Sequence, residues 1–155
     1  MLSSAAVFSL YGVGDGLLKK LQAIQNAAAR VVTGTKKFDH ITPVLRDLHW
    51  FPVRQRIKYK LAMTVYKCLR GLAPTYLADD CLAISAIAGK RHLRSARTGT
   101  LSVPRTTTTL GMRIFAVAGP VIWNSLPAAL RTATLSPVTF AQHRRPTCLA
   151  DRQRI

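Results

Sequence analysis

Residues 39–77, DHITPVLRDLHWFPVRQRIKYKLAMTVYKCLRGLAPTYL, contain the signals that decide the predicted fold. Thr42 stands directly before a proline, a pair that is typical of the N-cap and first residue of a helix. This short helix should end near His49. Pro52 cannot lie inside a helix, so a second and longer helix is predicted to begin near Pro52 and to end at Gly71.

The longer helix is predicted to have a buried face and a basic face. On a helical wheel at about 100° per residue, the core face consists of Val53, Ile57, Leu61, Thr64 and Cys68. A second face carries, along about four turns, Arg56, Lys60, Met63, Lys67 and Arg70. Tyr59 and Tyr66 flank this row of cations and, at heptad spacing, should point in the same direction.

The remaining segments predict further helices separated by prolines and glycines. Asp15 is the predicted N-cap of a helix that Gly34 should end. The predicted core-facing stripe of this helix consists of Leu17, Leu21, Ile24, Ala28 and Val31. A shorter helix should follow Pro74 to about Ala83, and the Thr-rich run around Pro104 should be extended or looped.

The predicted fold class is therefore all-α, with several short to medium helices and an extended basic and Thr-rich loop region. The predicted divisions are an N-terminal lead-in (1–14), a helical core with the basic helix (15–84), the loop (85–109), short C-terminal helices (110–141) and a tail (142–155). Within 110–141, two short helices should be separated at Gly119-Pro120, and Ser136 should begin a last helix. Trp50 and Trp123 should be buried.

Short motifs along the chain share the order and spacing of one protein family. They are Leu21-Gln22, Gln25-Asn26-Ala27-Ala28-Ala29-Arg30, Leu48-His49-Trp50-Phe51-Pro52-Val53, Arg56-Ile57, Tyr66-Lys67-Cys68-Leu69, Gly71-Leu72-Ala73-Pro74, Phe115-Ala116-Val117-Ala118-Gly119-Pro120, Trp123-Asn124 and Leu126-Pro127. Over residues 10–140 the chain resembles the C-terminal tail of the reverse transcriptase of LINE-type (non-LTR) retrotransposons. The resemblance implies a helical thumb or post-thumb segment that packs beside template and primer and lacks the polymerase active site. Residues 1–9 and 142–155 depart from the family, which indicates a truncated fragment or a change of reading frame.

The charge balance points to a polyanionic partner. Lys and Arg number 23 against six Asp and no Glu, and the resulting net charge of +17 is typical of proteins that bind nucleic acid. The cations predicted to contact phosphates are Arg56, Lys60, Lys67 and Arg70, with support from Arg91, Arg94 and Arg97. Tyr59 or Tyr66 would stack on an unpaired base of RNA or DNA, as a single strand or at a hybrid junction. Alternatively, the basic row is only a solvated face and the tyrosines are buried against another helix.

No pattern of residues predicts catalysis or a metal site. The segment Tyr76-Leu77-Ala78-Asp79-Asp80 has one residue more than the Tyr-x-Asp-Asp turn that holds magnesium in reverse transcriptases. It also lacks the third nearby carboxylate that two-metal chemistry requires. Cys68, Cys81 and Cys148 are odd in number and lack the spacing of a zinc site. We therefore expect no catalytic residue, no metal and no cofactor.

The sequence also predicts where the protein resides. An odd number of cysteines favours a reducing compartment. The apolar run at residues 5–13 is short and has no basic region before it, unlike a secretory signal. No segment approaches the roughly 20 apolar residues that span a membrane. The predicted location is intracellular, nuclear or cytoplasmic, with no membrane partner.

These observations predict a non-catalytic fragment of an RNA-directed DNA polymerase tail that binds nucleic acid through a basic helix. Two alternatives remain. In one, the chain is a protein-interaction or scaffold module whose exposed apolar faces dock on a polymerase domain or another protein. In the other, it is a transposon remnant without a selected function.

Overall fold

The computed structural model describes residues 10–87, 99–131, 136 and 138–140 of the chain. These residues form α-helices at α1 (Asp15–Thr33), α2 (Ile41–Asp47), α3 (Val53–Leu69), α4 (Thr75–Ala78) and α5 (Phe115–Asn124). Short 3-10 turns lie at Ile84–Ala86, Gly111–Arg113 and Ala128–Leu130. Among the described residues, extended backbone pairs only at an isolated antiparallel bridge between Ala83 and Leu101. The predicted all-α class is confirmed.

Left-handed residues end three helices where the sequence predicts. Gly34 (φ 67°) is the C-cap of α1, and Gly71 (φ 66°) follows the C-cap of α3. His49 adopts φ 55° after α2 although it carries a side chain, a conformation that costs a non-glycine residue about 1–2 kcal/mol. The hydrogen bond from the N–H of Trp50 to the carbonyl of Leu45, at 2.8 Å, closes this turn and satisfies one of the last carbonyls of the helix.

The bounds of α2 and α4 differ from the prediction. The N-cap of α2 is His40 rather than Thr42. Pro43 therefore lies in the first helical turn, where its missing N–H leaves no intrahelical bond unmade. Helix α4 ends at Ala78 rather than near Ala83, because Ala83 belongs to the extended bridge.

The predicted break at Gly119-Pro120 is wrong, because α5 runs through both residues as one helix. Both are buried, and a Cβ atom at Gly119 would lie 3.0 Å from Cγ2 of Val65 in α3. The absent side chain lets the two helices approach closely, and this packing offsets the backbone bond that Pro120 removes. Ser136 behaves as predicted, since its Oγ accepts a hydrogen bond from the N–H of Thr139 at 3.1 Å.

Helix α3 lies at the centre of the core and packs against α1, α4 and α5. Its buried residues are Ile57, Leu61, Ala62, Val65, Tyr66 and Cys68. The predicted core residues Val53 and Thr64 are only half-buried. On the helical wheel the buried arc is centred roughly 80° from the predicted one, on the side of Tyr66. Trp123 is buried as predicted, whereas Trp50 is half-buried.

The predicted core stripe of α1 is also wrong. Leu17, Ile24 and Val31 are 50%, 66% and 83% exposed, and the buried residues of this helix are Leu18 and Ala29. Two polar side chains turn inward instead. The amide of Gln22 accepts a hydrogen bond from the N–H of Val53 at 2.8 Å, and Gln25 donates to the carbonyl of Phe51 at 2.8 Å.

These two glutamines supply the physical reason for the rotation of α1. The connection between α2 and α3 contains backbone groups that no helix satisfies, and burying them without partners costs free energy.

The start of α1 also differs from the prediction, since its N-cap is Gly14 and not Asp15. The carboxylate of Asp15 instead forms an ion pair with Arg54 of α3, at 2.6 Å.

Candidate nucleic-acid interface

The basic face of α3 consists of the four cations that the sequence predicts to contact phosphates. Arg56, Lys67 and Arg70 are exposed, and Lys60 is half-buried. Their helical spacing keeps them within an arc of roughly 80° and extends them over about 21 Å of helix axis. This length corresponds to about six phosphate spacings along one nucleic-acid strand.

Helix α3 contains no acidic residue, so its cations have no carboxylate on the same helix. Arg56 and Lys60 are four residues apart, a spacing at which like charges destabilise a helix by a few tenths of a kcal/mol. The ion pair of Arg54 with Asp15 lies on another side of the helix, toward α1. The basic face thus concentrates positive charge that the helix itself does not neutralise.

Tyr66 does not belong to this face, and its predicted stacking on a base is wrong. Its side chain is 2% exposed, and its ring stacks on Phe140 with ring centroids 4.5 Å apart. The guanidinium of Arg70 lies over the Tyr66 ring, 5.3 Å from its centroid. Tyr66 is therefore buried beneath the basic face, and its cation–π contact orients Arg70, the last cation of the row.

Tyr59 is half-buried and stacks on Phe51, with ring centroids 5.3 Å apart and an interplanar angle of 28°. Phe51 is half-buried too. Together these rings form a partly accessible aromatic pair next to Lys60 in sequence. Sequence reasoning found Tyr59 but missed Phe51, whose only signal was its place directly before Pro52, at the start of the helix.

The second predicted cluster of cations, Arg91, Arg94 and Arg97, lies outside the described residues. The predicted tail at 142–155 and Cys148 also lie outside them. The candidate interface is therefore built from α3 and the residues that immediately precede it.

A groove of about 560 Å³ opens elsewhere, between α1, α3 and α5. Its wall includes the apolar side chains of Leu18, Ile57 and Val117, and cations contribute through Lys58 and Arg113. The lining residues come from separate stretches of the chain, so no local motif could have revealed the groove. It combines an apolar surface with positive charge, and it does not include the basic face of α3.

The segment that was compared with the magnesium-binding turn of reverse transcriptases, residues 76–80, lies on and just after helix α4. Asp79 is the C-cap of the four-residue helix α4, and the side chain of Tyr76 is 68% exposed. In the part of the chain that the structure describes, no three His, Cys, Asp or Glu side chains are grouped so that they could hold a metal ion.

Cys68 and Cys81 are core residues with free thiols. A hydrogen bond joins their side chains. This bond and burial raise the pKa of Cys81, whereas the bond from Cys81 lowers the pKa of Cys68. The cause is geometric, because a thiolate on Cys68 is stabilised by the neighbouring S–H, and a second thiolate beside it would be repelled.

Among the helices within the described ranges, none has the length and apolar character needed to cross a bilayer. No family model, curated protein or solved structure matches the chain.

Proposed function

We propose that the chain is a non-catalytic nucleic-acid-binding segment, related to the tail of a LINE-type reverse transcriptase. In this proposal the basic face of α3 binds the phosphates of RNA or DNA, as a single strand or at a hybrid junction. The observation that carries the proposal is a row of four cations on one side of an acid-free helix, in a chain of net charge +17. Such a surface attracts a polyanion through counterion release.

The aromatic pair of Tyr59 and Phe51 supports the same function. A base that stacks on a partly exposed ring contributes roughly 1–3 kcal/mol, whatever its identity. Of Tyr59 and Tyr66, only Tyr59 is accessible enough to be the stacking residue. Binding should be tolerant of sequence, because neither phosphate contacts nor stacking read the edges of bases.

The proposed role does not include polymerisation. Asp79 and Asp80 follow a short helix, whereas magnesium-dependent polymerases hold paired carboxylates together with a third. Primer extension in the presence of magnesium should be undetectable, and the double change Asp79→Asn and Asp80→Asn should leave nucleic-acid binding nearly unchanged. Extension that disappears in the double variant would contradict the proposal.

The compartment follows from the same chemistry. The proposed location is the nucleus or cytoplasm, where RNA and DNA are found and where free thiols such as Cys68 and Cys81 stay reduced.

Fluorescence anisotropy with labelled single-stranded RNA and DNA tests the function. The test variant replaces Arg56, Lys60, Lys67 and Arg70 by Gln. The matched control replaces Lys19, Lys20, Lys36 and Lys37, four exposed cations on α1 and in the loop after it, by Gln. Each variant loses four positive charges, so both change from +17 to +13.

The test variant should bind all sequences more weakly, by up to about a hundredfold near physiological salt if all four phosphate contacts are lost. The control should bind nearly as well as the unchanged chain. Tyr59→Ala should weaken binding by roughly 1–3 kcal/mol. Circular dichroism establishes that each variant is folded. Equal losses in the two charge variants would mean that α3 is not the binding site, and no binding by the unchanged chain would favour the remnant hypothesis.

A further inference from the structure

Helix α1 presents an apolar stripe to solvent. Its members are Leu17, Leu21, Ile24, Ala28 and Val31, which follow one another at intervals of four, three, four and three residues. Leu21 is half-buried and the other four are exposed. This alternation is the a/d pattern of a helix that packs lengthwise on another helix. In the described structure α1 packs its other side on α2 and α3, through Leu18, Ala29 and the two inward-facing glutamines.

The exposure of the stripe is large for a folded domain. Ile24 and Val31 are 66% and 83% exposed, and Val32 beside them is 64% exposed. From Leu17 to Val31 the stripe extends over about 21 Å of helix axis. A continuous apolar surface of this kind, bordered by polar residues, is typical of a site that another protein covers.

The charges beside the stripe indicate the character of that protein. Lys20 borders the stripe directly, and Lys19 lies further round the same side of α1. Arg30 lies on that side too, half-buried and donating a hydrogen bond to the carbonyl of Asp39. Asp15, the sole acidic residue of α1, is engaged by Arg54. An approaching helix therefore meets apolar side chains that are bordered by positive charge on the side away from the core.

A second copy of the chain fits this surface poorly, because two chains of charge +17 repel each other. We propose that the stripe of α1 binds an acidic amphipathic helix of a partner protein, with apolar residues at its a and d positions and Asp or Glu beside them. The apolar seam supplies affinity, and opposite charge at the flanks selects the partner. This site is separate from the basic face of α3.

A synthetic heptad peptide with leucine and isoleucine in its seam and glutamate at the flanking positions serves as the probe. The same peptide with lysine in place of glutamate is its control. The stripe variant combines Ile24→Gln and Val31→Gln, two exposed positions at which a polar residue leaves the core intact. The matched protein control combines Leu72→Gln and Leu110→Gln, which are 62% and 71% exposed elsewhere on the surface.

Calorimetric titration should show that the unchanged chain and the matched control bind the glutamate peptide. The stripe variant should bind it about tenfold more weakly or worse, as expected when two anchoring residues are lost. The lysine peptide should not bind. The four-cation variant of α3 should retain the peptide, and the stripe variant should retain RNA binding, which separates this proposal from the proposed function.

Three results would overturn the proposal. Equal binding of the glutamate peptide to the stripe variant and the unchanged chain would place the peptide elsewhere. Equal binding of the lysine and glutamate peptides would remove the role of charge. Sedimentation that shows the chain to dimerise, with the stripe variant monomeric, would identify a second copy as the occupant.

Discussion

The side chain of Asn124 should be among the most important polar groups for stability, although no sequence pattern marks it as such. Its Oδ1 accepts a hydrogen bond from the N–H of Leu101 at 2.9 Å, and its Nδ2 donates to the carbonyl of Leu101 at 2.8 Å. The neighbouring backbone groups of Thr100 and Ser102 face the other way and pair with residues 82–84. Leu101 is 1% exposed, so its own N–H and carbonyl depend on Asn124.

Replacing Asn124 by Ala leaves both backbone groups of Leu101 without these partners. Each unsatisfied buried group costs about 1–3 kcal/mol, which gives about 2–6 kcal/mol for the pair. We expect the lower half of this range, because Asn124 is half-buried and water can enter the vacated space. Urea denaturation followed by circular dichroism measures the change in the free energy of unfolding.

Two further variants make this expectation specific. Ser125→Ala, in which an exposed hydroxyl loses a local bond to the carbonyl of Ile122, should change stability by no more than about 0.5 kcal/mol. Asn124→Asp keeps the acceptor for the N–H of Leu101 but places a carboxylate oxygen against its carbonyl. This variant should therefore regain stability as the pH falls and the carboxyl group becomes protonated. A loss below about 0.5 kcal/mol in Asn124→Ala would refute the argument.

Two other predictions concern packing and the thiol pair. Gly119→Ala should destabilise the chain by about 1–3 kcal/mol because its Cβ would press on Val65. Gly16→Ala, whose Cβ would meet nothing within 4 Å, should stabilise α1 by about 0.4–1 kcal/mol. Thermal unfolding should therefore show a lower melting temperature for the first variant and a higher one for the second. Because the pKa of Cys81 is raised, Cys81 contributes stability below the ordinary thiol pKa of 9.0, and this contribution is lost as the pH rises above 9.0. Because the pKa of Cys68 is lowered, Cys68 contributes stability above 9.0, and this contribution is lost as the pH falls below 9.0. Urea denaturation across this range should therefore find a stability maximum near pH 9. Cys81→Ala should abolish the loss of stability below that maximum, because Cys68 then lacks the hydrogen bond that lowers its pKa.

Local signals predicted the C-terminal ends of α1 and α3 and the start of α3. Gly34 and Gly71 act through their own backbone conformation, and Pro52 acts through its ring, so distant parts of the chain cannot easily override them. The four basic residues of α3 also lie together as predicted, because helical periodicity alone places them on one side. This agreement concerns geometry, and binding itself stays a prediction.

The orientation of the helices in the core was not predictable from periodicity. The orientation of α1 depends on the carbonyl of Phe51 and the N–H of Val53, which bond to Gln25 and Gln22. These partners lie 26 and 31 residues apart in the sequence. Tyr66 is buried because Phe140, far along the chain, supplies a ring for it to stack on. Both corrections depend on tertiary contacts, which outweigh the preference for the most apolar stripe.

The salt dependence of binding distinguishes phosphate contacts at the basic face of α3 from a general attraction by the net charge of the chain. Each phosphate contact on a single strand contributes about −0.7 to the slope of log K against log salt concentration, so the loss of four contacts should flatten the slope by up to about three units. We expect this change for the variant that lacks the cations of Arg56, Lys60, Lys67 and Arg70. The equally charged control, changed on α1 and the following loop, should show almost none. The same slope in both variants, with each protein folded, would contradict the claim that the basic face of α3 binds nucleic acid.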